Sequence, residues 1–135
     1  MSLLPQNTFL GKLEIIEVYE YYDTPCLFAC RNASKQIFIA VWASQTKEMG
    51  TWLYVPMSPE RFEQVRSGGI DLRDTFLTSE DSFVYEVIIP CDDSPDRVIA
   101  VPCQELSDDW LPMAGEFLDF GNEPLPVLAQ KQEAI

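Results

Sequence analysis

A chain of 135 residues is the length of one domain, and its 47% hydrophobic content is enough to build a core, which excludes intrinsic disorder. The net charge of −13 is concentrated in residues 71–135, which carry −12, whereas residues 1–70 carry −1. A field of that sign repels phosphate backbones and anionic membranes, and so argues against direct nucleic-acid binding.

Taken in chain order, the start MSLLPQN has no basic segment, and Pro5 and Gln6 break its apolar stretch at once, so it does not read as a signal peptide. Residues 12–22 are rich in β-branched and aromatic types and read as a strand, with a bulge where the alternation slips at Ile15 and Ile16. The spacing of Glu14, Glu17 and Glu20 leaves a helix as the alternative. Asp23, Thr24 and Pro25 form a turn, and Cys26 to Arg31 a short strand. Gln36 to Ala43 returns as the second strand of a hairpin, buried on both faces, with Ile37, Ile39 and Val41 on one side and Phe38, Ala40 and Trp42 on the other.

A polar connection over residues 45–50 leads to a strand from Thr51 to Val55, stopped by Pro56. The clearest helix start follows. Ser58 caps, Pro59 suits the first helical position, and Glu60 sits at the positive helix end. The helix runs to about Arg66 and stops at Gly68 and Gly69, with Phe62, Val65 and Ile70 as core contacts. Residues 71–77 are a second short helix capped by Asp71. Ser82 to Ile89 alternates as a strand, Pro90 to Asp96 is an acidic turn, and Val98 to Val101 completes a second hairpin. Further on, residues 106–112 hold one helical turn anchored by Trp110 and Leu111, and Glu116 to Asp119 a brief strand. The predicted domain spans residues 1–121, and residues 122–135, with Pro124 and Pro126, form a flexible tail. Strands joined by turns, with one good helix inserted, predict an α+β fold: a mainly antiparallel sheet of hairpins with one or two helices packed on it.

No histidine is present, which removes Ser-His-Asp and Cys-His catalysis and His-ligated zinc. Cys26 and Cys30 on one strand lie about 13 Å apart, too far to grip one ion together, and no C-x-x-C pair exists. Gly68 and Gly69 follow a helix, and neither common phosphate-loop pattern occurs. No cofactor is therefore expected. In the reducing cytoplasm to which these features assign the chain, Cys26, Cys30, Cys91 and Cys103 are expected as free, buried thiols. The carboxylates remain. Asp92, Asp93 and Asp96 share one turn, and Asp108 and Asp109 another. If the turns meet they offer oxygen ligands to a divalent cation, and if they stay solvated they keep the protein soluble. Trp42, Trp52 and Tyr54 read as core. Trp110, after two aspartates, either covers the sheet as a lid or anchors a partner.

Several segments together resemble an uncharacterised family of small bacterial domains: YYDTPCLFAC (21–30), IFIAVW (37–42), EMGTWLYVP (48–56), RSGGIDLRD (66–74), FVYEV (83–87) and WLP (110–112). The resemblance covers residues 9–120 and is carried by structural residue types. It implies a single domain from a bacterial cytosol and assigns no functional residue. The expected function is a non-enzymatic binding or regulatory module whose acidic half meets a protein partner through Asp92, Asp93, Asp96, Asp108, Asp109 and Trp110. The alternatives are a ligand or cation binder or enzyme using carboxylates, and a structural subunit of a homo-oligomer that pairs through an edge strand.

Overall fold

The computed structural model of the chain describes residues 3–121. Six strands form one antiparallel sheet in sequential order: β1 (Leu13–Tyr22), β2 (Thr24–Asn32), β3 (Ile37–Gln45), β4 (Met49–Met57), β5 (Phe83–Pro90) and β6 (Arg97–Pro102). Two helices, α1 (Pro59–Arg66) and α2 (Leu72–Leu77), lie between β4 and β5. This is the expected mainly antiparallel α+β architecture. The residues at 12–22 resolve as strand, and the slip at Ile15 and Ile16 is a register shift against β2.

The helix boundaries follow from the caps. The Ser58 side chain accepts from the Arg61 N–H, and Asp71 accepts from the Asp74 N–H. Gly68, with φ of +89°, ends α1 where a Cβ would stand 2.7 Å from the Leu118 carbonyl oxygen. Only glycine fits that combination of backbone hand and close approach.

Both sheet faces are buried. On one, Phe62, Val65, Leu72 and Phe76 of the helices pack over Ile39, Leu53, Val55 and Val84, and the chain after β6 adds Leu111 and Leu118. On the other, Phe28, Phe38, Trp52 and Tyr54 form an aromatic layer with Leu10 and Leu13. The segment before β1 covers that layer. The Tyr54 hydroxyl donates to the Leu3 carbonyl (2.5 Å), and the Asn32 amide donates to the Leu10 carbonyl (2.8 Å).

Four expectations need correction. Trp42 is not core: it stands 46% exposed, while its cross-strand neighbour Trp52 is buried. β3 is therefore buried on both faces only over its first half. Residues 116–119 form no strand, because their backbone serves the helices instead: the Glu116 carbonyl accepts from the Leu72 N–H, and the Phe120 N–H donates to the Arg66 carbonyl. The cysteines are all free, but only Cys30 and Cys103 are buried, and Cys91 is exposed. The predicted tail lies outside the described residues.

Burial also fixes a pH response. It pushes the Cys30 thiol and the Tyr54 phenol up from their ordinary 9.0 and 10.0, and the Tyr19 phenol is raised by burial and then by the Glu17 carboxylate. The fold holds these protons, whereas the unfolded chain releases them first. Their stabilising contribution is therefore complete below the ordinary values and declines as pH rises through them. The expected slope approaches about 1.4 kcal/mol per pH unit for each group. Thermal melts followed by circular dichroism from neutral to about pH 11 should show a falling midpoint; a midpoint that holds steady would mean these groups ionise within the fold.

Candidate functional site

The acidic residues of the second half are placed by two different supports. Asp92, Asp93 and Asp96 occupy the turn between β5 and β6, at the end of the sheet where Pro90 pairs with Met49. Asp108 and Asp109 open a 3-10 turn, Asp108–Trp110, that follows β6. One group precedes β6 and the other follows it. Among the described residues, no three acidic or thiol side chains come together as a set that could hold a metal ion.

Local bonds divide these carboxylates into committed and uncommitted members. Asp92 accepts from the Ser94 N–H (2.8 Å), and its bonds to Ser94 hold its carboxyl below the usual carboxylate range. This is an Asx turn, built because the short aspartate side chain reaches a backbone donor two residues on. Asp96 accepts from the Gln6 N–H (2.8 Å), which ties the N-terminal segment to the β5–β6 turn. Asp108 forms an ion pair with Arg73 of α2, and the same guanidinium donates to the Pro112 carbonyl (3.1 Å). Asp93 and Asp109 are exposed and make no side-chain bond to any described residue. Trp110 is half-buried and packs on the helix-side core, as Leu106 and Phe120 also do.

A surface depression of about 540 Å³ borders the first turn, lined by Gln6, Asn7, Ile89 and the stretch from Pro90 to Asp96. Its walls are the exposed turn itself and the N-terminal segment. It lacks the enclosed apolar lining with convergent polar groups that marks a small-molecule site.

The ties through Gln6 and Arg73 were missed in the sequence because their partners lie 90 and 35 residues away, and no local periodicity reports such pairs. The Arg66–Glu17 ion pair was missed for the same reason. Its guanidinium donates through Nε to Glu17 Oε1 (3.0 Å) and through Nη2 to Oε2 (2.7 Å). Both residues are buried, and the nearby Tyr19 hydroxyl is also buried. The pair docks the end of α1 on β1, a structural tie between helix and sheet.

Against known proteins, the model of a family of unknown function, DUF6575, matches residues 1–127. No curated protein and no solved structure matches the chain.

Proposed function

Because the chain belongs to a family of unknown function, its role must be read from its surface, and we propose that it is a non-enzymatic binding module whose acidic second half engages a basic protein partner. One observation carries this reading. Residues 71–121 hold thirteen carboxylates against two arginines, and Arg73 is already committed to Asp108. The excess is uncompensated within the described fold, and Asp93 and Asp109 stand exposed without partners of their own. Such a surface accelerates encounter with a basic partner and repels acidic ones, so it sets selectivity more than affinity.

The cation-binding alternative gains no comparable support, since the acidic turns do not assemble a ligand set among the described residues.

The test uses the two uncommitted carboxylates, because reversing Asp92 or Asp108 would also break the turn or the tie to α2. The double variant Asp93→Lys, Asp109→Lys should keep its melting midpoint. In affinity co-purification from the source cells, the parent chain should retain a partner that raised salt releases, and the variant should bind that partner about tenfold more weakly. A partner held equally well by both proteins, or one unmoved by salt, would refute an electrostatic binding surface.

A further inference from the structure

We propose that the outer edge of β6 is the docking line for an extended, lysine- or arginine-bearing segment of a partner protein, which adds to the sheet as a further antiparallel or parallel strand. This deepens the acidic-surface reading above and rests on it for the sign of the partner's charge.

β6 ends the sheet order, and among the described residues no strand pairs with its outer side. The register shows which backbone groups are free. Pairing runs from Phe83↔Pro102 to Ile88↔Arg97, and the Cys103 N–H continues it by donating to the Ser82 carbonyl (3.1 Å). In an antiparallel ladder, bonded pairs alternate with non-bonded ones. Counting back from Cys103, the backbones of Val101, Ile99 and Arg97 bond inward to β5. Those of Val98 and Ala100 therefore direct their N–H and C=O groups outward.

Sheet edges that must stay unpaired are usually guarded by short length, charged side chains, prolines, bulges or inward-pointing charges, and β6, six residues long, carries a charge and a proline only at its two ends, Arg97 and Pro102. β6 has no register shift, and between Arg97 and Pro102 it presents only Val98, Ile99, Ala100 and Val101. Ile99 is 44% exposed, and Ala100 is exposed as well. Main-chain bonds to such an edge supply affinity, while alternate side chains supply selectivity.

The charges around the edge decide the occupant. Asp92, Asp93 and Asp96 lie just before β6, Glu105 lies just after it, and Glu86 pairs with Ile99 from the neighbouring strand. Arg97 is the one cation of the strand. A basic segment is attracted by this frame. A second copy of the chain would bring an identical acidic frame against it, and like charges brought together are unfavourable.

The experiment measures fluorescence anisotropy of a labelled peptide of alternating lysine and valine, titrated with the full chain at low salt. A second peptide of the same sequence is N-methylated at every residue, which keeps the charge and removes the strand-pairing donors from both of its edges. The parent chain should bind the first peptide at least about tenfold more tightly than the second, the loss expected when one or two main-chain bonds are removed. Ala100→Pro removes an outward N–H and leaves the inward ladder to β5 intact, so it should weaken binding of the first peptide to the same degree.

Equal binding of the two peptides by the parent chain would overturn the edge proposal even if the proline variant failed to fold. No binding of the first peptide, or a doubled mass in light scattering that Ala100→Pro abolishes, would overturn it too, the latter by making a second copy the occupant. The acidic-surface reading fails separately, when Asp93→Lys, Asp109→Lys binds the first peptide as well as the parent does.

Discussion

An Arg66→Met chain is expected to unfold about 3–5 kcal/mol more easily than the parent in urea, the cost of leaving one partner of a buried ion pair without the other. Arg66 and Glu17 are 2% and 5% exposed, and their bidentate contact is the main charge compensation for each. Once the guanidinium is gone, the Glu17 carboxylate must stay buried unpaired, take up a proton, or drag β1 away from α1. The second carboxylate near Arg66, that of Glu63 at 3.5 Å, is largely exposed and adds little. The double variant Glu17→Leu, Arg66→Met should recover most of the loss, because it removes both charges and substitutes apolar volume. Paired urea melts of the three proteins check this. A single variant within about 1 kcal/mol of the parent, or a double variant no better than the single, would show that the pair is solvated in solution.

The sheet could be read from the sequence because its strands are short, β-branched and separated by turn residues, and the first helix because Ser58 and Pro59 announce its start. Two prolines misled the strand boundaries, both for the same reason. Pro56 was read as a stop and Pro25 as part of a turn, yet both lie inside strands. Proline is tolerated where a strand has a neighbour on one side only. The pairing of β4 with β5 ends at Tyr54, and that of β2 with β3 begins at Leu27. Each proline therefore sits beyond the stretch that is paired on both sides. The reversal between β1 and β2 falls on Asp23 alone, with φ of +59°, a conformation that aspartate tolerates better than most residues.

The acidic residues were legible as a surface and not as a site. Charge asymmetry is a property of composition, so it survives without coordinates. What separates Asp93 from Asp92, or Asp109 from Asp108, is a partner: Ser94 in one case and the distant Arg73 in the other. The open edge of β6 was likewise invisible, because the order of strands in a sheet does not follow from the strands alone. Val98 to Val101 would read the same in the middle of the sheet. Its position as the last strand gives these residues a functional reading, and the carboxylates at both its ends give that reading a sign.

Phe28→Ala is the second large effect, with an expected loss of about 3–5 kcal/mol. Phe28 is 0% exposed, and its ring meets those of Trp52 at 5.6 Å and Tyr54 at 6.1 Å, both edge to face. Truncation removes these contacts and opens a cavity between strands whose backbones are fixed by ladders on both sides, so the gap cannot close by collapse. Phe28→Leu, which keeps most of the volume, should cost about 1.5 kcal/mol or less. Trp42→Ala, on the same sheet face but half out in solvent, should cost only about 1–1.5 kcal/mol. The contrast between the two aromatic deletions is the informative quantity, since both remove a ring from neighbouring strands of one sheet. Equal losses at Phe28 and Trp42 would mean that Trp42 is covered in solution, and its 46% exposure would then mark an occupied surface. The expected inequality instead leaves Phe28 as a structural centre, one whose removal weakens the whole sheet and, with it, the alignment of β5 that holds β6 in place.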